Sequence, residues 1–340
     1  MVTLPVKPLS IKESGPFRAL DVKPCAVVIG SHGDTMSFNF TVVLPEGANV
    51  DVQCILSGLS QPWPLAGIEQ LAGRPSWPDG HVRLHLDQES TRGVSVTKAG
   101  QEVTVTLNTC ASAADHELAV QLVSQFMATA NLLVQPEDTD EPLSAEVFRA
   151  RYGPAWVSDQ TKAGPTALSA FMEFKGEVTT VPGPVRSWHL SPETLVQLVA
   201  AGPPEELHLR ILADIRRVQY FDIGDAFEAG FLRLDTGETI ATFAPGLRYL
   251  LPKVGTVALV DESGREPLLL SWEDFMASVE SAFLDAGQAI ISAVDEEHWE
   301  RLREGAKPLA GAFGPDGAAQ AVPIEAPQDE KTPSPWWKFW

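Results

Sequence analysis

The chain reads as an α+β protein: two domains of mostly antiparallel sheet with helices packed on one face, plus a disordered C-terminal tail. Three observations predict this. Many segments alternate apolar and polar residues, as half-buried strands do, and several are joined by turn sequences. Others repeat apolar residues at helical spacing behind a Ser or Asp that can cap a helix. From Lys307 the composition turns to Ala, Gly, Pro and acid, which cannot build a core, until the closing Trp336-Trp337-Lys338-Phe339-Trp340.

The size fits this division. A chain of 340 residues is long for one small core, and 44% apolar with 21% charged residues is the profile of a folded protein. Residues 1–23 are an irregular, Pro-punctuated lead-in. Residues 24–202 form the first α+β domain and 203–306 a smaller second one, divided at Gly202-Pro203-Pro204. Residues 307–340 are a linker ending in an aromatic docking motif, with a tether of roughly 29 residues that as a coil reaches on the order of 30 Å.

The first domain opens with a short apolar run, Ala26 to Ile29, and a turn, Gly30 to Asp34. Met36 to Leu44 alternates and is a strand, and Pro45-Glu46-Gly47 ends it. Val50, Val52, Cys54 and Leu56 alternate again and predict another strand. Residues 60–79 read as a loop or short helix. Val82, Leu84 and Leu86 predict the next strand, then Val94 and Val96, which turn through Ala99-Gly100-Gln101 into Val103, Val105 and Leu107. Ser112 with Asp115 predicts a helix start, and Leu118, Leu122, Val123, Phe126 and Met127 form its apolar stripe. Leu132 to Val134 is a short buried strand. Ser144 caps a further helix, with Leu143 and Phe148 placed as a hydrophobic staple. Residues 154–170 fit no single template, and 171–190 read as irregular strands. Ser191-Pro192-Glu193 is a strong helix start.

In the second domain, Leu207 to Phe221 fits both a strand and a helix, and the strand is preferred because β-rich text follows. Phe231 to Arg233 and Thr239 to Phe243 pair across the turn Asp235 to Glu238. Val257 to Asp261 pairs with Pro267 to Leu270 across Glu262 to Arg265. Trp272, Phe275, Met276, Val279 and Phe283 predict one amphipathic helix. Ala289 to Val294 is the last strand, and Asp295 caps a short helix holding Trp299 and Leu302.

A formal charge of −20 repels phosphate backbones, and Arg216-Arg217 and Arg301 with Arg303 are pairs rather than patches, so nucleic acid is not an expected partner. Cys25, Cys54 and Cys110 are odd in number and form no CxxC, which points to a reducing compartment. The N-terminal residues do not resemble a secretory signal, and no run approaches the ~18 apolar residues needed to span a bilayer. A cytoplasmic protein is expected. Richness in Ala, Gly and Pro, with Arg over Lys, suggests a GC-rich bacterial genome.

Candidate chemistry is sparse. His81 and His85 share a strand face, but four residues of strand separate them by ~13 Å, too far for one zinc ion. Cys110 before a helix could pair with His116, yet six helical residues turn the imidazole away by about 240°. Ile29 to Asp34 lacks the glycine spacing or lysine of a nucleotide loop. Trp77-Pro78-Asp79-Gly80 is a β-turn with a half-buried anchor. The acidic pairs Glu205-Glu206, Asp261-Glu262 and Glu296-Glu297 fall at turns and helix starts. No cofactor or metal is expected. The predicted function is a non-enzymatic interaction module in which Trp336, Trp337, Lys338, Phe339 and Trp340 dock on a protein partner, the acidic body fitting an immunity or adaptor-type binder. Two alternatives stand beside it. One is a hydrolase whose site gathers His32, Asp34, His81, Cys110 and His189. The other is a peripheral membrane protein anchored by the aromatic cluster.

Overall fold

A computed structural model describes residues 37–60, 64–175, 178–233, 239–261, 265–283 and 287–308. The alternating runs between residues 37 and 136 form a six-stranded antiparallel sheet. Its strands are β1 (Ser37–Val43), β2 (Leu65–Ala66), β3 (Gly80–Leu86), β4 (Val94–Ala99), β5 (Glu102–Asn108) and β6 (Val134–Pro136), in the order β2-β3-β4-β5-β1-β6. Register puts Val82 opposite Val96 and Val96 opposite Val105, so one face is continuously apolar. Gly100 supplies the positive φ, 59°, that the two-residue β4–β5 hairpin requires.

Helix α1 (Val52–Ser57) lies between β1 and β2, where alternation predicted a strand. The alternation is coincidental. The Asp51 carboxylate accepts from Cys54 N at 2.9 Å as a helix cap, and the buried residues are Val52 and Ile55, three apart. Helix α2 (Ala113–Ala128) follows the expected capping box, with both the Ser112 and Asp115 arms formed. Leu118, Leu122, Val123, Phe126 and Met127 are all buried, in one core cluster with the apolar sheet face. Each such side chain stabilises the fold by about 1.5–3 kcal/mol. Helix α3 (Ala145–Arg151) is capped by Ser144, and Phe148 meets Phe40 edge-on with ring centroids 5.4 Å apart.

The ambiguous stretch 154–170 is one long helix, α4 (Pro154–Lys175), so residues 171–175 are helical rather than irregular strand. Gly164 and Pro165 disguise it. Pro165 removes an interior donor, and the Gly164 backbone packs closely on that of Cys110. A hairpin of β7 (Thr179–Pro182) and β8 (Ser187–Leu190) follows, then α5 (Pro192–Ala200), capped by Ser191 as expected.

Residues 207–220 are helix α6 (Leu207–Tyr220), which corrects the strand expectation. Strand alternation covers only Leu207, Leu209 and Ile211 and would bury Leu209, which is 53% exposed. Helical spacing runs on through Ile215 and Val218, both fully buried. Helix α6 packs on α4 and α5, and its buried face shares a core cluster with Leu168, Trp188 and Leu195.

The remaining strands are β9 (Phe227–Glu228), β10 (Phe231–Arg233), β11 (Thr239–Phe243), β12 (Tyr249–Pro252), β13 (Thr256–Leu259), β14 (Leu268–Ser271), β15 (Ser281–Phe283), β16 (Gln288–Ile291) and β17 (Lys307–Pro308). Five form the sheet β10-β11-β13-β14-β17 and four the sheet β15-β16-β12-β9. Both expected pairings, β10 with β11 and β13 with β14, are antiparallel. Helix α7 (Trp272–Ser278) is shorter than predicted. Its spacing seemed to reach Phe283, but Val279 is extended and 281–283 pairs with β16, supplying partners for that edge. Helix α8 (Glu296–Glu304) is capped by Asp295, with Trp299 and Leu302 buried. Strands β12 and β16 are apolar on both faces. Leu250 and Ile290 enter the α4–α6 core, while Leu251, Ala289 and Ile291 enter a third core with Phe243, Phe275 and Trp299.

Lys307 and Pro308, expected to begin the linker, pair with β14 as β17, and several expectations lie outside the described residues: the run and turn between Ala26 and Asp34, the turns at 235–238 and 262–264, and the rest of the linker with the aromatic motif, 309–340.

Candidate functional site

The predicted docking residues Trp336, Trp337, Lys338, Phe339 and Trp340 lie outside the described residues, as do His32 and Asp34. The other candidates are placed. His81 is exposed on β3, its Nδ1 3.3 Å from Thr97 Oγ1, and His85 is half-buried on the same strand. Partial desolvation by neighbouring groups lowers both pKa values from the ordinary value, and for His81 the nearby Arg83 guanidinium adds to this. Trp77 is wholly buried rather than half-buried, its ring 5.2 Å from that of Phe126, and is not available to stack a ligand. His189 on β8 is buried, with its Nδ1 2.9 Å from Thr180 Oγ1, and burial lowers its pKa to about 4.

Cys110 lies in the turn between β5 and α2 in a left-handed conformation, φ 65°, packed against Gly164 of α4. Burial pushes its thiol up to about 12, against a smaller opposing effect of the Arg92 guanidinium. A thiol held neutral in this way is a poor nucleophile. His116 turns to other partners: Nδ1 is 2.8 Å from the Ser112 carbonyl and so carries the hydrogen, and the ring meets Trp156 edge-on at 5.5 Å. Burial is the largest influence on His116 and lowers its pKa.

The residue that organises this region is Asp115, which the sequence marks only as a helix cap. Its buried carboxylate accepts from Ser112 N at 2.9 Å and Ser112 Oγ at 3.0 Å, closing the start of α2. It also accepts from three consecutive backbone N–H groups of the β3–β4 loop: Thr91 at 3.0 Å, Arg92 at 3.1 Å and Gly93 at 3.1 Å. One carboxylate therefore fastens a loop to a helix N-terminus, where negative charge is favoured. The buried Arg92 side chain lies within its field, and burial lowers the guanidinium pKa to about 10. Its Nε has no hydrogen-bond partner among the described residues. Sequence spacing could not have found this cluster, because most of its donors are main-chain groups of a loop distant in sequence.

The surface end of the same loop borders a groove of about 370 Å³, lined by Gln88, Ala213, Arg216, Arg217, Tyr220 and Phe221. Four of these sit at helical spacing on the outer face of α6, opposite buried Ile211, Ile215 and Val218. Two contacts hold the loop wall to the helix wall: Tyr220 Oη donates to the Leu86 carbonyl at 3.1 Å, and Arg216 Nη1 to Glu89 Oε2 at 3.0 Å. Gln88 itself is left-handed, φ 62°, and Phe221 is 42% exposed. The groove thus offers aromatic surface beside the ion-paired guanidinium groups of Arg216 and Arg217, suited to an aromatic ligand of low charge.

No known protein family matches the chain, and no curated protein or solved structure does either. Among the described residues no group of three or more His, Cys, Asp or Glu side chains could hold a metal ion, and no helix is long and apolar enough to cross a membrane.

Proposed function

We propose that this protein is a non-enzymatic interaction module of the bacterial cytosol, engaging a protein partner through its C-terminal aromatic segment. One observation carries the reading: Trp336, Trp337, Phe339 and Trp340 are concentrated around Lys338, after a stretch with no core-forming pattern. Large aromatic anchors supply a disproportionate share of interface free energy. The formal charge of −20 favours a basic partner and speeds its association, as an immunity or adaptor-type binder of a basic effector requires. The chemistry of the placed candidates supports binding over catalysis, since the Cys110 thiol is raised to about 12 and His189 lowered to about 4. Cys54 and Cys110 are free thiols, in keeping with a reducing compartment.

The test has two steps. Partners captured by the full chain are compared with those captured by a chain ending at Glu330, and each candidate is then purified and titrated directly. Replacing Trp336, Trp337 and Trp340 with Ala should weaken a true partner at least about a hundredfold, roughly 3 kcal/mol. Identical partner lists, or unchanged affinity after the triple substitution, would overturn the reading. Flotation of the full chain with liposomes, lost on truncation, would assign the segment to a membrane surface instead.

A further inference from the structure

We infer that the groove on α6 is the resting place of the chain's own aromatic segment, so that residues 336–340 dock in cis and a partner must displace them. This rests on the reading above, that the segment is a docking peptide, and adds how its availability is controlled.

The chemistry of the two surfaces matches. Tyr220 and Phe221 present aromatic surface, and Ala213, the small residue on that helix face, leaves room for a ring. Arg216 and Arg217 line the groove with side chains 41% and 40% exposed; each is ion-paired, to Glu89 at 3.0 Å and to Asp214 at 2.6 Å, which leaves the planar guanidinium faces to stack on an indole. Between residues 309 and 335 the sequence contains Asp316, Glu325, Asp329 and Glu330 against Lys331 alone, and Lys338 lies within the aromatic segment. On a chain of formal charge −20, an adjacent arginine pair offers cation–π partners to the indole rings of the segment.

Reach is sufficient. The stretch 309–335 separates β17 from Trp336. A coil of that length spans about 30 Å on average. A folded body of this size has a radius of gyration of about 19 Å. Tethering over such distances gives an effective concentration in the millimolar range. A groove that binds the free peptide with a dissociation constant of only about 100 µM is then about nine-tenths occupied in cis. A partner meets the segment in its remaining tenth, and its apparent affinity falls about tenfold. The loop contacts from Tyr220 and Arg216 hold the groove ready, which lowers the ordering cost of occupying it.

The test uses the full chain with Phe339→p-benzoylphenylalanine, irradiated at low micromolar concentration and mapped by mass spectrometry. The expected product has the mass of one chain, with the link on residues 207–221 or on the loop at Gln88. Ala213→Arg, at an exposed helical position, fills the groove and should cut the yield at least fivefold with an unchanged melting temperature. Links mainly to other surfaces, a product of two chains, or no link would each overturn the cis contact, the two-chain product assigning the groove to a second copy. Failure here differs from failure of the docking reading. If only the cis contact is wrong, the triple Trp substitution still weakens partner binding at least about a hundredfold and Ala213→Arg leaves it unchanged. If both hold, Ala213→Arg raises apparent partner affinity about tenfold.

Discussion

At Thr91 to Gly93 the loop between β3 and β4 is buried, and three successive N–H groups converge on the Asp115 carboxylate. A few residues earlier, at Gln88, the same loop is exposed, left-handed and bordering a groove. The difference lies in what replaces water. At the buried end protein groups do so, and removing one leaves charges and donors with no alternative partner. At the exposed end water remains the default partner, so substitutions there should alter binding while leaving folding nearly untouched. The buried end is therefore where stability is sensitive, and the exposed end is where a ligand can be gained or lost.

The strongest test of that contrast is Asp115→Ala. It removes the acceptor of the Thr91, Arg92, Gly93 and Ser112 N–H groups and the negative charge near buried Arg92. A loss of about 3–5 kcal/mol is expected in urea denaturation. That is a large part of a typical total of about 5–15 kcal/mol. Asp115→Asn separates the contributions, because it keeps an acceptor oxygen and removes the charge. Equal losses in both variants would assign the effect to the charge opposite Arg92. A loss under about 1 kcal/mol in the alanine variant would break the contrast.

Acid titration extends the buried side of the comparison to β8. The His189 pKa in the folded protein is lowered to about 4, below its ordinary value of 6.5. Above pH 6.5 neither the folded nor the unfolded chain protonates it, and its contribution to stability is fully present. As the pH falls below that value the unfolded chain gains a proton that the folded chain refuses, and stability is lost progressively down to about pH 4. The gap corresponds to about 3 kcal/mol. His189→Gln should flatten the dependence of the urea midpoint on pH across this window, whereas Ala213→Arg should leave the curve parallel to the parent. An unchanged slope in His189→Gln would show that other groups carry the acid sensitivity.

Close packing under the buried end gives a smaller effect. A Cβ at Gly164 would sit 2.7 Å from Cys110 N, a backbone atom that cannot rotate away. Gly164→Ala gains about 1 kcal/mol of helix propensity. It also forces α4 off the β5–α2 junction, so a net loss of about 1–2 kcal/mol is expected from thermal or urea denaturation. Net stabilisation would show that α4 can shift freely and that the junction is looser than the Asp115 contacts imply.

Much of this layout was legible from the residues. Val82 to Leu86, Val94 to Val96 and Val103 to Leu107 declared strands because half-buried strands must alternate, and Ser112 with Asp115 declared the start of α2. Two segments misled because short apolar runs satisfy both periods. Val50 to Leu56 alternates by accident while Asp51 caps a helix, and Leu207 to Ile211 alternates before the helical spacing of Ile215 and Val218 decides. Helix α4 was hidden by Gly164 and Pro165, whose presence in a helix depends on packing elsewhere. The second role of Asp115 left no trace, since its loop partners are three backbone N–H groups and the Thr91 hydroxyl, 22 to 24 residues away. The groove was out of reach for a different reason. Ala213, Arg216, Arg217 and Tyr220 share a face only if α6 is a helix, and the strand reading scattered them.

The smallest expected effect is also the sharpest probe of the exposed end. Gln88 holds φ at 62°, a region that costs an ordinary residue about 1–2 kcal/mol. Glycine has no such penalty but loses more chain entropy on folding, so Gln88→Gly should stabilise the protein by less than about 1 kcal/mol. Strain retained at a surface position, where relief is one substitution away, directs attention to what the side chain does there. Gln88 lines the α6 groove. The glycine variant should therefore show a slightly raised urea midpoint together with a reduced intrachain crosslink from position 339. A raised midpoint with an undiminished crosslink would detach the strain from the groove, and a lowered midpoint would mean that Gln88 contributes more packing than its exposure indicates.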